Sequence, residues 1–363
     1  MIDEVLMFRR QMRPVLAAAM VALALVAPAA QQKAPLLSDQ EFWALSSRLS
    51  EASGVFHSDN VVSNEARYQS VIPDLGSRVK PGGVYLGVGP EQNFTYIAAL
   101  RPRLAIILDL RRGNLHEHLL YKALFEMSAT RAEFVARLFS RQPSPMPAAS
   151  ASVESIFAAV DAAAPSPALY DQNLASVLEW LKTKRHLPLT TEDRDGIAYV
   201  YRALRDGGPQ IGYMLTTGRG VGSPGYGALM ALTDDAGVQR SYLSSEERFQ
   251  FVKALETSNA IVPVVGNFAG PKALRGIGEY LRSQKATVSA FYLSNVEQYL
   301  RQDGIWDDFC RNVATLPLTP ESTFIRSMRG GFARGSAPAR GTAVAGGFVS
   351  SLGTIAEDIR GCR

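Results

Sequence analysis

The chain has 363 residues, of which 47% are hydrophobic and 20% are charged, and its formal net charge at pH 7 is +4. This balance is typical of a folded globular protein. Because the charge is modest and no run of lysine and arginine is interleaved with aromatic residues, we expect no nucleic-acid partner. With four histidines and two cysteines in the whole chain, we expect no zinc site of the usual kind.

The N-terminus carries the features of an export signal. A basic cluster at 9–13 precedes an apolar run at 15–26, and small residues follow at 27–30. This order is typical of a secretory signal peptide, which we assign to residues 1–30. The apolar run is shorter than the roughly 20 residues of a transmembrane helix, although an uncleaved N-terminal membrane anchor is the alternative. We therefore predict an exported protein, periplasmic or secreted, with no membrane span after signal cleavage.

Cys310 and Cys362 are the two cysteines of the chain. In an oxidising compartment, such a pair favours a disulfide. This bond would fasten the C-terminal tail to a helix near the end of the folded core. Two unpaired thiols are the alternative, and the sequence alone leaves the choice open.

In chain order, the first half of the sequence alternates between helical and strand patterns. The spacing of Ser38-Asp39-Gln40-Glu41 is that of a capping box, which predicts the start of a helix. Two near-continuous apolar runs, 84–89 and 105–109, are typical of parallel strands that are covered on both faces. Helical patterns cover about 38–51, 64–75, 91–100 and 115–140.

The second half begins with a stretch of different character. Residues 141–210 contain a linker rich in proline, serine and alanine and then three helical patterns with no clear strand, which indicates a helical insertion. Residues 211–215 are a candidate strand. Buried strands are predicted over 261–266 and 286–293, an edge strand over 323–327, and helices over 244–257, 271–283 and from 296 onward.

The alternation of buried strands and helices predicts an α/β fold with a doubly wound, mostly parallel sheet of the Rossmann-like kind. A helical insertion interrupts this core. The patterns divide the chain into a signal peptide at 1–30, N-terminal helices and the first half of the core at 31–140, the insertion at 141–210, the second half of the core at 211–329, and a tail rich in glycine and alanine at 330–363 with a short helix near 352–359.

Two features lie where ligands of such sheets bind, at the carboxyl ends of the strands. The first is Gly87-Val88-Gly89 before a helix, because glycine lets a ligand approach the backbone closely and a helix N-terminus offers unpaired N–H groups. The second is Asp109, which ends the second strand 22 residues after Gly87 and can accept hydrogen bonds from both ribose hydroxyls of an adenosine. The alternatives are a tight turn without a ligand and, for Asp109, a helix cap or a partner of Arg111 or Arg112.

With these residues the chain resembles the class I methyltransferases that depend on S-adenosylmethionine (SAM). Gly87 and Gly89 match the glycine-rich first motif of that family, and Asp109 matches its acidic ribose-binding residue. The resemblance implies a methyltransferase-type fold and SAM as the cofactor, with the methionine end of SAM over the first loop. It also implies that the residue ending the fourth strand faces the substrate, and Asn267 is the rough equivalent here.

The core resemblance to the methyltransferases covers about 63–140 and 211–327. The strings YLGVGPEQN at 85–93 and FYLSNVEQY at 291–299 also resemble an uncharacterised family of exported bacterial proteins. One departure is Pro90-Glu91, which stands where a third glycine is expected and brings a negative charge to the helix N-terminus. This charge argues against a dinucleotide more than against SAM, which carries no phosphate.

Further polar residues follow the predicted strand ends and would converge on the same edge of a parallel sheet. Each of them alone can also be read as a helix cap or a loop hydrogen bond. The predicted cofactor-binding residues are Glu65, Gly87, Gly89, Asn93, Tyr96, Asp109 and Arg111. The predicted catalytic residues are Asn267 and Asn295, which would orient the methyl acceptor. No residue stands out as a general base.

The expected fold and the expected compartment conflict, because SAM is made in the cytosol and a signal peptide sends the protein out of it. Two hypotheses therefore stay open. The first is an exported protein that binds SAM or another nucleoside-like small ligand, with methyl transfer as its chemistry if it has any. The second is an exported, non-catalytic binding or interaction protein on a degenerate Rossmann-like scaffold, with an unknown protein partner. A serine hydrolase is not expected, because the segment around Ser223 lacks the Gly-x-Ser-x-Gly spacing.

Overall fold

The computed structural model of the chain describes residues 36–213, 224–329, 348–360 and 362. The predicted signal peptide, Ser223 and most of the predicted tail lie outside the described residues. The chain divides into two units, 1–34 and 35–363, and all described residues belong to the second. Among these residues, no helix is long and apolar enough to cross a membrane.

In the described part of the chain, six strands form one sheet in the order β3-β2-β1-β4-β5-β6. The strands are β1 Val84–Gly87, β2 Leu104–Asp109, β3 Ile261–Val265, β4 Val288–Ser294, β5 Leu318–Arg329 and β6 Phe348–Thr354. The first five strands are parallel, and β6 pairs with β5 in the antiparallel sense. This is the strand order of doubly wound sheets, so the chain has a Rossmann-like α/β fold. The prediction of this fold class is confirmed at that level.

Helices cover both faces of the sheet and form the insertion. They are α1 Asp39–Leu49, α2 Ile72–Arg78, α3 Gln92–Leu100, α4 Arg112–Met127, α5 Arg131–Leu138, α6 Val153–Ala162, α7 Pro167–Glu179, α8 Thr191–Gly207, α9 Tyr226–Ala231, α10 Glu246–Thr257, α11 Ala273–Ser283, α12 Val296–Gln302, α13 Trp306–Val313 and α14 Ile355–Asp358. The predicted capping box opens α1, since Ser38 and Glu41 exchange side-chain hydrogen bonds with each other's backbone N–H.

The crossover from β2 to β3 runs from α4 to α10, and it is very long because it contains the insertion. The predicted strand at 211–215 is wrong for its described part, since 211–213 have no strand conformation. The sheet therefore resumes only at β3. Within the crossover, Arg112 on α4 donates to the buried Asp193 carboxylate of α8 at 2.6 Å, and this pair ties the insertion to the core.

Several predicted elements have different limits in the structure. Residues 66–71 form turns rather than the first part of a helix, and the predicted helix over 115–140 breaks between α4 and α5. The strand around 323–327 is interior rather than at the edge, because β6 covers it. Of the predicted helix near 352–359, residues 352–354 belong to β6, and the helix that forms is α14, Ile355–Asp358. Beyond it, Cys362 forms a disulfide with Cys310 of α13.

Candidate functional site

A cavity of about 340 Å³ lies at the carboxyl ends of β1, β2 and β4. The crossovers leave β1 in opposite directions on its two sides, and this switch point is where ligands of doubly wound sheets bind. The walls are the turn after β1, the residues that end β2 and β4, and the segment 55–64 that precedes the core. The volume falls within the usual range of small-molecule pockets.

The two glycines of the turn after β1 have different reasons to be glycine. Gly89 lines the cavity and has a φ of +76°, a conformation that favours glycine. Gly87 is packed instead, since a Cβ there would lie 1.9 Å from Oδ1 of Asn93 and 2.8 Å from Cε1 of Tyr85. Gly87 therefore does not line the cavity, although it was predicted to bind the cofactor.

Asn93 holds the glycine turn from beneath. Its buried amide nitrogen donates to the carbonyl oxygens of Val88, Gly89 and Pro90 at 2.8–3.1 Å, and its oxygen accepts from Tyr85 at 2.9 Å. The side-chain amide hydrogens and the side-chain oxygen of Asn93 are therefore all engaged within the protein. The structure places Asn93 as a support of the cavity wall rather than as a contact for a ligand.

Asp109 and Arg111 both line the cavity and form an ion pair there. The Asp109 carboxylate accepts from Nε of Arg111 at 3.1 Å, from the second guanidinium nitrogen at 3.2 Å, and from the Arg111 backbone N–H at 2.9 Å. Burial lowers the pKa of Arg111, but the adjacent carboxylate outweighs burial and raises this pKa. Since a carboxylate has about four lone-pair sites, Asp109 can still accept from a ligand.

Glu65 lies beneath the end of β4 and does not line the cavity. It is 1% exposed, and its oxygens accept from Tyr292 at 2.8 Å, from Gln92 at 2.9 Å and from Ser294. Burial raises the pKa of Glu65 above its ordinary value. Tyr96, whose hydroxyl donates to the Tyr68 carbonyl at 3.3 Å, is also buried outside the cavity. Neither residue is in the position that the sequence predicted.

Glu91 does not bring the expected negative charge to the start of α3. It is fully buried, and its two oxygens accept from the backbone N–H of Ser63 at 3.2 and 3.3 Å. Burial raises the pKa of Glu91 to about 8, so the carboxyl is mostly protonated at pH 7. Nearby, Nε2 of His118 donates to the Gly89 carbonyl at 3.0 Å, and burial lowers the His118 pKa to about 4. The polar groups under the turn are therefore largely neutral.

Asn267 and Asn295 both line the cavity, from opposite sides of it. The assignment of Asn267 to the end of the fourth strand is wrong, because it follows β3 at the edge of the sheet. The residues that end the fourth strand are Ser294, with a φ of +50°, and Asn295. The Asn267 oxygen accepts from the backbone of Ala269 at 2.9 Å, and both amide nitrogens are without a partner among the described residues.

Aromatic side chains that sequence reasoning missed line the mouth of the cavity. The rings of Phe56 and Tyr299 meet edge to face with centroids 5.2 Å apart, and His57 lies beside both. Tyr213, which follows the insertion, also lines the cavity. These residues come from segments without helical or strand periodicity or from a short helix. The FYLSNVEQY string containing Tyr299 was the one available signal.

Residues 60–345 match a protein family described as a domain of unknown function, DUF7790. The chain belongs to the DUF7790 family. The match begins at Asn60 and so includes the glycine turn, Asp109 and all of β1 to β5. A comparison with curated proteins found no match.

Five of the nine predicted site residues meet in one cavity of this DUF7790 domain. They are Gly89, Asp109, Arg111, Asn267 and Asn295. The other four, Glu65, Gly87, Asn93 and Tyr96, lie behind its walls. Among the described residues, no group of three or more His, Cys, Asp or Glu could hold a metal ion. The cavity offers hydrogen bonding by amides and a carboxylate next to aromatic rings.

Proposed function

We propose that the protein binds a nucleoside-like small molecule in the cavity at the switch point of its sheet, with SAM as the first candidate. The observation that carries this proposal is the meeting of Gly89, Asp109 and Asn295 around one cavity of about 340 Å³. The glycine leaves the backbone open to a ligand, the carboxylate can accept from sugar hydroxyls, and the amide can donate.

The aromatic mouth supports the same class of ligand. Phe56 and Tyr299 line this cavity with their rings in edge-to-face contact, and a nucleobase can stack on aromatic side chains of this kind. The resemblance of the glycine turn and Asp109 to methyltransferases favours SAM among nucleoside-like molecules. If SAM is the ligand, it supplies an activated methyl group, and the free amide nitrogens of Asn267 and Asn295 are placed to orient an acceptor.

The residues fit SAM with one restriction, which favours a second candidate function. The Asp109 carboxylate already accepts three hydrogen bonds from Arg111, so a ribose must share it. This prior engagement is what a scaffold that has lost the cofactor would show. The second candidate is therefore a non-catalytic binding protein that holds a nucleoside-like ligand without transferring a methyl group.

We propose further that the protein is exported. The basic and apolar N-terminus supports this location, and so does the disulfide between Cys310 and Cys362, because such bonds persist mainly in oxidising compartments. Cell fractionation and N-terminal sequencing of the purified protein test it. A start after residue 29 or 30 in the exported fraction is expected, and a cytosolic protein that retains residues 1–30 would refute it.

The ligand is tested by calorimetric titration of the mature protein with SAM, S-adenosylhomocysteine and adenosine. Micromolar binding is expected for at least one of them. Tyr299→Ala should weaken it about tenfold, because base stacking contributes about 1–3 kcal/mol. Tyr280→Ala is the matched control, since Tyr280 lies on α11 outside the cavity. Failure of the folded protein to bind all three ligands would refute the proposal.

The role of Asp109 is tested with Asp109→Asn rather than alanine, because the amide oxygen can still accept a hydrogen bond from the buried Arg111 guanidinium, whereas alanine would leave it without any acceptor there. Loss of binding with an unchanged melting temperature supports a direct contact with the ligand. Methyl transfer to any acceptor in the presence of SAM would decide for the enzyme, and tight binding of the ligand without turnover would decide for the binding protein.

A further inference from the structure

A second cavity of about 310 Å³ adjoins the first one. The two share Val55, Phe56 and Arg111 as a common wall. The second cavity is bounded by the segment 53–61, the first turns of α4, and α8 from the insertion. The function proposed above makes no use of it.

Two buried polar side chains in the wall of this cavity can accept further hydrogen bonds. Glu117 is 1% exposed, and its Oε1 has no partner among the described residues. Ser58 is 4% exposed, and its hydroxyl interacts with the Tyr213 side chain but can accept a further hydrogen bond. A buried polar atom without a hydrogen bond costs about 1–3 kcal/mol. A ligand that supplies a donor to Oε1 of Glu117 would recover that free energy.

Within the described part of the chain, the carboxyl groups of the second cavity lack ion-pair partners, whereas its guanidinium groups are paired. Arg112 is paired with Asp193 at 2.6 Å and Arg111 with Asp109 at 3.1 Å, so both guanidinium groups of the wall are neutralised. Asp59 accepts from the Tyr199 hydroxyl at 2.6 Å. Among the described residues, neither Asp59 nor Glu117 has a cationic partner within ion-pair distance.

We propose that the second cavity binds the ammonium group of a small amine, with Glu117, Ser58 and Asp59 as its acceptors. An ammonium has three donors and no acceptor, which matches the three acceptor groups of this wall. An anionic ligand would meet two carboxyls instead of a free cation. The cavity is large enough for a small ligand of this kind.

Proton release should accompany this binding. Burial, and after it the proximity of Glu91, raises the pKa of Glu117 well above its ordinary value, which favours the protonated carboxyl in the free protein. An ammonium stabilises the ionised form, and the proton then leaves to solvent. Below the pKa of Glu117, the affinity for the amine should therefore rise about tenfold per pH unit.

Other titratable groups face Glu117 and must be separated from it in any pH experiment. These groups lie in the core, at the end of β2, on the same helix as Glu117, and around the cavity. They are, in that order, Glu91 and Tyr121; Asp109 and Arg111; His116 and His118; and Asp59, Arg112, Asp193 and Tyr199. Glu91 has a pKa of about 8 and titrates in the same range. Glu91→Gln should keep the pH dependence of amine affinity, whereas Glu117→Gln should remove it.

The test uses the mature protein and three probes of similar size, namely ethanolamine, ethylene glycol and glycolate, titrated by calorimetry or NMR at pH 6, 7 and 8. Ethanolamine should bind, because it remains an ammonium over this range. Its affinity should increase as the pH rises, because Glu117 then gives up its proton more readily. The glycol should bind at least about tenfold more weakly, and glycolate should not bind. Equal or tighter binding of glycolate, or no binding of ethanolamine to the folded protein, would overturn the proposal.

Variants localise the binding to the second cavity. Glu117→Gln and Asp59→Asn should each weaken ethanolamine about tenfold or more. Glu256→Gln is the matched control, because Glu256 is also 1% exposed with an unpartnered oxygen and a pKa of about 8, but lies on α10 away from the cavity. Unchanged affinity in both cavity variants would overturn the proposal. No nucleoside is present in these titrations, so their outcome is independent of the ligand of the first cavity.

Discussion

At the scale of single residues, the two glycines of the turn after β1 are required for different reasons, Gly87 for packing and Gly89 for backbone conformation. Gly87→Ala would place a methyl group 1.9 Å from Oδ1 of Asn93, whereas the same change at Gly89 meets no described atom within 4 Å. We expect Gly87→Ala to lower the free energy of unfolding by about 3 kcal/mol or more, since the residue that supports the turn must move. Gly89→Ala should cost about 1–2 kcal/mol because of its positive φ.

Urea unfolding of both glycine variants measures this difference. Gly82→Ala is a useful reference, because Gly82 has a φ of +88° and nothing described within 4 Å, and it lies at the opposite end of β1. Its loss of stability should match that of Gly89→Ala. A Gly87 variant as stable as these two would show that Asn93 is not held as described.

The buried Glu91 predicts a loss of stability with rising pH. Its pKa is raised from 4.5 to about 8 in the folded protein, so the folded state binds the proton more tightly than the unfolded chain. This contribution is fully present below pH 4.5 and is lost as the pH rises toward 8. The free-energy advantage of Glu91→Gln over the natural protein should therefore grow by about 4 kcal/mol between pH 4.5 and 8.

Denaturant titrations at several pH values measure this advantage. Glu279→Gln serves as the control, because Glu279 is exposed on α11 and its replacement should give a difference that barely changes with pH. A constant difference for Glu91→Gln as well would mean that Glu91 is ionised in the folded protein at neutral pH.

At the scale of elements, the disulfide joins α13 to the segment after α14 across a sequence separation of 52 residues. Closing a loop of that length in the unfolded chain corresponds to about 4 kcal/mol in the chain-entropy account. The double variant Cys310→Ala/Cys362→Ala should lose stability up to that amount in urea unfolding. A reducing agent should lower the free energy of unfolding of the natural protein toward that of the variant, and it should leave the stability of the variant unchanged. Equal stabilities of the two proteins would contradict this.

The strands of the parallel core could be predicted from sequence because local pattern determines them. β1, β2 and β3 are continuous apolar runs that are covered on both faces, and such runs stand out in any sequence. β6 could not be found, since its residues are half-buried or exposed and their partners on β5 are 19 to 31 positions away in the sequence. The predicted helix at 64–75 was wrong over 64–71, because tertiary contacts, such as those of Glu65 with β4, take precedence over helical spacing there.

The residues of the candidate site could be predicted only where a residue with suitable chemistry lies at the end of a strand. Gly89, Asp109 and Asn295 directly follow or end strands, and the convergence of parallel strand ends brought them together. Asn93 has an equally polar side chain in an equally favourable position, but it turns toward the backbone of the glycine turn. Sequence spacing does not give the direction of a side chain. Phe56 was missed because its segment has no periodic pattern.

At the scale of the whole molecule, the insertion gives the sheet edge a second compartment. A doubly wound sheet alone offers one crevice at its switch point. Here α8 packs over the start of α4 and closes a second cavity behind the segment 53–61. Val55, at the tip of this segment, is 92% exposed. One segment therefore forms the wall between the two cavities.

This shared wall predicts that ligands of the two cavities bind cooperatively. Phe56 borders both cavities and touches Tyr299 only edge to face, so a ligand on either side restrains it. The second ligand then has less side-chain and backbone freedom to remove. We expect saturating ethanolamine to tighten the binding of S-adenosylhomocysteine about fivefold or more, and S-adenosylhomocysteine to tighten ethanolamine by the same factor, because coupling is reciprocal. Calorimetric titrations in both orders measure the two factors. Phe56→Ala should bring both coupling factors close to one, while each ligand alone still binds. If neither ligand changes the affinity of the other in the natural protein, the wall between the cavities is rigid.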